Sequence, residues 1–326
     1  KSNYENAIQY VTCLYRNLLE REPDQAGLVA YSNAIANGRM TAADVAVTLI
    51  DSQEFVNKNY DDTTYIKKLY LALLQRSPNS SEISYWLDIM AGGVTRRYPL
   101  INIVGAAEFA AICNIYMIEQ GSVAAIENRD RNYGVTSYVA RCYAKILERP
   151  ADANGLNTWA GKLLDGACGG AEIVKDLIVS AEFTNKHCTN SEFVEIMYNA
   201  MLGRSSDPYG KQNWMDQLGE GVSFVYIING FAGSAEFNNI CSSYGIYAGT
   251  ATVDEARDKN ILVTGFVNRQ YTKVLERGGD APGLNNWCNM ILSKALSPKN
   301  VAYGFVFSKE SIDKNRSNDQ FVEMLY

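Results

Sequence analysis

One long block of sequence recurs at equal spacing along this chain, and each block holds two related halves. Tyr10-Val11-Thr12-Cys13-Leu14-Tyr15 returns as Tyr138-Val139-Ala140-Arg141-Cys142-Tyr143 and again as Phe266-Val267-Asn268-Arg269-Gln270-Tyr271. A related segment opens the second half at Tyr65 and returns, at the same interval, at Phe193 and Phe321. A half-block of about 55 residues buries too little surface to be comfortable alone. A chain built this way is therefore constrained to stack its pieces and share a core between neighbours.

The segments between blocks repeat as well. Cys113, Tyr116, Ile118, Gly121, Glu127, Arg129, Asp130, Asn132, Val135 and Thr136 match Cys241, Tyr244, Ile246, Gly249, Glu255, Arg257, Asp258, Asn260, Val263 and Thr264. A flexible linker would not hold ten positions in register, so an ordered connector is expected. The division is then 1–60 and 61–113 for the first two subunits and 114–137 for a connector. It continues with subunits at 138–190 and 191–241, a connector at 242–265 and a fifth subunit at 266–317. Residues 318–326 open a sixth subunit, which suggests a piece of a longer array with further repeats or domains in the same chain.

Each subunit reads as three to four helices. Val11, Leu14, Tyr15, Leu18 and Leu19 form one apolar stripe, ended by Arg21 and Pro23. Asp24, Asp152, Asp207 and Asp280, with Asn79 in the second subunit, stand where a second helix would be N-capped. Thr41 and Ser297-Pro298 predict the start of a third helix, and the recurring Ser52-Gln53-Glu54-Phe55 pattern a short fourth. No strand-like alternation competes, so the expectation is an all-α fold of tandem helical repeats.

Composition narrows the function classes. The chain is 47 % hydrophobic and 20 % charged, which is globular, and 30 basic against 36 acidic residues leave a net charge of −6. That balance gives no footprint for nucleic acid or an anionic membrane surface. No apolar run reaches the roughly 18–20 residues of a membrane span. The sequence begins at Lys1 with no signal-peptide pattern, so any export address would lie outside it. One histidine, His187, in 326 residues points away from acid–base enzymes. There is no phosphate-cradling loop, nucleophile elbow or Cys-x-x-Cys pair. No catalytic residue, metal or cofactor is assigned.

The remaining candidates each carry two readings. Trp86, Trp159, Trp214 and Trp287 could stack on sugars, but they share one repeat position on the second helix, which favours core. Arg21, Arg76, Arg149, Arg204 and Arg277 could be a ligand ladder. The favoured reading is that they satisfy terminal carbonyls and pair with the Glu54-type acid of their own subunit. Asp152-Ala153-Asn154-Gly155 starts like a calcium loop, yet glycine is fourth and Leu163 twelfth, so capping explains it better. Among 21 tyrosines, Tyr209 and Tyr98 stand out as surface candidates for binding. Seven cysteines leave Cys142 with Cys168 as a candidate disulfide, with buried thiols as the alternative.

The run Phe193-Val194-Glu195-Ile196-Met197-Tyr198, Leu202-Gly203-Arg204, Asp207, Gly210, Trp214 and Ser234-Ala235-Glu236-Phe237 resembles a bacterial repeat family, domain of unknown function 4214. Arg149-Pro150-Ala151-Asp152-Ala153-Asn154-Gly155-Leu156-Asn157-Thr158-Trp159 is a close instance of its signature. All five complete subunits carry the likeness, although Asn79 and Glu82 depart from it in the second. The family is distantly similar to the phycobilisome linker domain. The resemblance implies a secreted or cell-surface setting and no catalytic residue. The leading expectation is a non-enzymatic surface for a partner protein, such as a host immunoglobulin, or for a glycan. A spacer holding other domains off the cell wall is the alternative, and an enzyme with an unfamiliar site is a third reading.

Overall fold

The computed structural model describes residues 3–326. The fold is all-α, with no strand among the described residues. In the first subunit the helices are Asn3–Leu14, Gln25–Ala36, Ala42–Ile50 and Gln53–Asn57, and the other four complete subunits follow the same order. The stripe read from the sequence is the buried face: Val11, Leu14 and Leu18 are wholly inaccessible. The fourth helix differs between halves. It is short at Gln53–Asn57, Ala181–Thr184 and Lys309–Ile312, but longer at Ala107–Tyr116 and Ala235–Ser243.

One feature escapes hydrophobic periodicity. In all five complete subunits the last turn of the first helix is π-helical: Tyr15–Leu19, Tyr70–Leu74, Tyr143–Leu147, Tyr198–Leu202 and Gln270–Val274. Glu20, Gln75, Glu148, Gly203 and Glu276 then turn left-handed, with φ of 58, 55, 59, 70 and 55°. A side chain there costs on the order of 1 kcal/mol, which Gly203 escapes. The reversal aims the next residue, the repeated arginine, back toward the tyrosine of the turn.

Side-chain caps start the second helices. The carboxylates of Asp24, Asp152, Asp207 and Asp280 accept from the backbone N–H of Gly27, Gly155, Gly210 and Gly283 at 2.7 to 2.9 Å. At three of these caps the glycine answers to space, not to φ. A Cβ at Gly27, Gly210 or Gly283 would overlap the hydroxyl of Tyr15, Tyr198 or Tyr271.

The connectors are fastened by their backbones. The carbonyls of Glu119 and Gln120 accept from the N–H groups of Ala42 and Ala43 at 2.8 and 3.0 Å. Tyr247 and Ala248 do the same for Gly170 and Ala171 at 2.9 and 2.7 Å. In each case an extended segment satisfies two donors that the start of a third helix leaves open. Farther on, Asp130 accepts from the N–H and hydroxyl of Thr95 at 2.7 and 2.6 Å, and Asp258 takes both from Ser223. Glu127 and Arg129 grip Asn157, and Glu255 and Arg257 grip Asn285 in the same way.

Grouped by mutual contact, the chain forms two compact units. One comprises residues up to Ala140 with Ala151–Gly161, the other Arg141–Pro150 with Lys162–Tyr326. The first unit has a continuous core that runs from Ala7 through Leu49, Leu69 and Val104 to Cys113. In the second unit a separate cluster around Val267, Tyr271, Leu284, Cys288 and Phe305 serves the fifth subunit.

Candidate functional site

The five repeated arginines are fully engaged within their own subunits. Arg21 pairs with Glu54, Arg76 with Glu108, Arg149 with Glu182, Arg204 with Glu236 and Arg277 with Glu310, each through Nε and Nη2. Each guanidinium also lies 5.0 to 5.2 Å from the ring centroid of Tyr15, Tyr70, Tyr143, Tyr198 or Tyr271. The paired arginine holds Glu54, Glu108, Glu236 and Glu310 below the usual carboxylate range. The carbonyl each arginine reaches is that of the next residue, Glu22, Ser77, Pro150, Ser205 or Gly278, not the last helical carbonyls. The ladder is a clamp between the first and fourth helices.

Trp86 is buried and donates from Nε1 to the hydroxyl of Tyr70 at 3.1 Å. Trp159, Trp214 and Trp287 are only half-buried. Trp214 lies on Phe231 with centroids 5.0 Å apart, and Trp287 on Phe305 at 5.2 Å. Trp214 and Trp287 thus pack on buried phenylalanines while remaining partly exposed. Tyr209 is 86 % exposed at the start of Pro208–Gly219. Tyr98 is not a free surface residue. It is half-buried against the first core with Tyr133 6.2 Å away, and its counterpart in the next block is Tyr226.

Cys142 and Cys168 stand as separate buried thiols, and no disulfide joins them. Cys142 lies on the inner stripe of its helix with Ile146, where the side chain points into packed core. Burial pushes the Cys168 thiol up to about 11, which keeps it protonated and inert. His187 takes the left-handed turn position that Asn59 and Asn315 hold elsewhere, φ 51, 47 and 49°.

The sites that single-residue reading missed are two grooves in equivalent places. In the first unit a cavity of about 350 Å³ is lined by Ile50, Asp51, Phe55, Val56, Tyr60, Tyr65, Arg96, Arg97, Leu100 and Ile126 among others. In the second a cavity of about 470 Å³ includes Ile178, Val179, Thr184, Phe224 and Val225, and continues along Glu255 and Arg257. Ile50, Asp51, Val56, Arg96 and Arg97 correspond, one block on, to Ile178, Val179, Thr184, Phe224 and Val225. Position is shared, but chemistry is not.

In the first groove Arg96 binds Asp62 at 2.7 Å and the Tyr60 carbonyl at 2.8 Å, lying over the Tyr65 ring. Arg97 binds Asp51 at 2.8 Å, and the lips Val56 and Ile126 are exposed. In the second, Phe224 stacks on Phe193 with centroids 3.7 Å apart, and Val179 is the exposed lip. The sequence signal was available: Arg96-Arg97 against Phe224-Val225 is the place where the frame repeats and the lining does not.

The sequence profile of a domain of unknown function, DUF4214, matches the chain five times, over residues 1–59, 48–113, 122–187, 174–241 and 251–315. The chain belongs to the DUF4214 family. Each DUF4214 match encloses one complete tyrosine–arginine–glutamate clamp with its capped second helix. No curated protein matches the chain. Among the described residues of this DUF4214 array, no group of three or more His, Cys, Asp and Glu comes together as metal ligands. No single helix among them is long and apolar enough to cross a membrane. The bent pair Arg97–Gly105 and Ala107–Tyr116 has the length, but turns by 63° and places Leu100, Ile103, Val104 and Phe109 in the core.

Proposed function

We propose that the chain is a non-enzymatic recognition scaffold whose units each hold a short segment of a partner protein in a groove. The observation that supports this is the contrast within one frame. The clamps, caps and connector clasps repeat nearly residue for residue, whereas the groove lining changes from arginine and tyrosine to phenylalanine and valine. A purely structural groove would be filled by the same packing in both units. The first groove suits a segment with an apolar anchor between Val56 and Ile126, and the second, where Thr184, Asn190, Glu255 and Arg257 stand beside Phe224 and Val225, one of mixed polar and apolar character. The ionisable groups lining the grooves are held in ion pairs, Asp51 by Arg97 and Arg257 by Glu255, which favours binding over chemistry. A secreted or cell-surface setting fits this role and rests on the family resemblance.

The test is a screen of the immobilised chain against secreted host proteins, immunoglobulin included, and a glycan array. Val56→Glu and Val179→Glu place a charge at an exposed lip and leave the cores intact. A saturable ligand lost in one of these variants supports the reading. Silence on both panels overturns it in favour of a spacer, and binding indifferent to both variants overturns the grooves as its seat.

A further inference from the structure

The first and third subunits receive their connectors on a seat built from the first two residues of the third helix. Ala42 and Ala43, like Gly170 and Ala171, are small, fully covered, and donate two N–H groups to connector carbonyls. The approach is tight. A Cβ on Gly121 would strike Thr41, and one on Gly249 would strike Glu172 and the backbone of Gly169. The same register of the fifth subunit carries Pro298 and Lys299. Proline at the first helical position suits the helix but has no N–H to give. Lys299 puts a long cation where an alanine is buried twice. The next facing position changes too: Lys175, which reaches Asp254 of its connector at 3.2 Å, has Tyr303 as its counterpart in the fifth subunit.

We propose that Pro298 and Lys299 close the connector seat of the fifth subunit, so that the third block is an end unit onto which no connector segment folds back. The helix Pro298–Val306 shows that the pair is compatible with its own fold: Ser297 caps it, and Val301 and Phe305 are buried in its core. What is removed is the hydrogen-bonding edge and the clearance that an extended segment needs. Alanine or glycine at these two positions marks a unit followed by another of its kind.

Transplanting the pair tests this in the full chain. Gly170→Pro with Ala171→Lys is followed by hydrogen exchange, reading Ile246 and Ala251, whose amides are bonded to Cys241 and Asn229. About tenfold or faster exchange across 246–251 is expected, while the untouched seat around 118–121 and the helix Gly170–Ile178 keep their protection. Unchanged protection of 246–251 overturns the proposal. Should the double variant lose protection throughout the third subunit, Gly170→Pro alone, read at the same amides, decides by the same two outcomes.

Discussion

Arg21 and Glu54 stand 33 residues apart in the first subunit and meet through two parallel hydrogen bonds of 2.7 and 2.8 Å. The same guanidinium rests on Tyr15. A planar fork is needed for both contacts at once, and lysine has none. Arg21→Lys should therefore cost about 1 kcal/mol, modest because both partners are partly in solvent. Urea unfolding of the full chain measures it. A variant as stable as the parent would show that the clamp contributes only geometry.

Gly210 and Gly219 bracket one helix and should answer alanine in opposite ways. A Cβ at Gly210 runs into the Tyr198 hydroxyl and the capping carboxylate of Asp207, whereas Gly219 has nothing within 4 Å. Gly210→Ala should destabilise by about 1–3 kcal/mol through overpacking. Gly219→Ala, at a helical residue with open space, should be neutral or gain about 0.5–1 kcal/mol. Thermal melts of the two variants side by side are sufficient, and equal shifts would remove the steric explanation for the repeated glycine.

Asp258 is the clasp by which a connector holds the fourth subunit. It is buried and accepts from both the N–H and the hydroxyl of Ser223. Asp258→Ala leaves a helix-start donor unsatisfied and should cost about 1–3 kcal/mol. Faster hydrogen exchange at residues 255–260 should accompany it. Loss of stability without faster exchange there would mean that the clasp is not what fastens the connector.

The acid limb of stability follows from the clamps. Arginine hydrogen bonds lower the folded-state pKa of Glu54, Glu108, Glu236 and Glu310. Their contribution is complete above the unfolded value, about 4.3, and is lost as pH falls through the depressed folded values. Asp258 runs the other way. Burial raises its pKa, so it binds a proton more readily when folded and offsets part of the loss below its raised value. Glu20, Glu82, Glu127, Glu195 and Glu276 are lowered in the same sense by their own partners, so the lowered carboxylates outweigh Asp258 and predict a melting temperature steady near neutrality and falling below roughly pH 4.5. Replacing the four glutamates with glutamine should lower the neutral plateau and flatten that fall, and an unchanged slope would place acid sensitivity elsewhere.

Much of this was readable in the sequence because helices advertise themselves twice, by stripe and by cap. Asp24, Asp152, Asp207 and Asp280 cap as their spacing predicts, and the arginines find the acids of their own subunits. The π-helical turns were hidden because one extra residue per turn leaves no mark in a short apolar stripe. Gly203, standing where other subunits have Glu or Gln, was the trace of the left-handed turn that follows. Tyr98 reads as a surface residue only when its counterpart Tyr226 is left out of account. The grooves were invisible to motif reading, since their walls come from separate helices and a connector and only the fold assembles them.

The second subunit departs from its family at Asn79 and Glu82, and the structure gives the departure a purpose. Glu82 accepts from the Asn79 N–H at 2.8 Å, closing a capping box, and binds Arg76 at 2.7 and 3.0 Å. Arg76 thus holds two carboxylates, Glu82 and Glu108, and both are lowered by it. Restoring the family residue with Glu82→Gly removes the return hydrogen bond of the cap and half of that arginine's partners, and adds a flexible residue to the first turn. The expected loss is about 1–2 kcal/mol in urea unfolding. Glu82→Gln should fall between, because its amide oxygen still accepts from Asn79 while the charge facing Arg76 is gone. If Glu82→Gly equals or exceeds the parent, the capping box is a tolerated substitution and the glycine pattern is the better solution in every subunit.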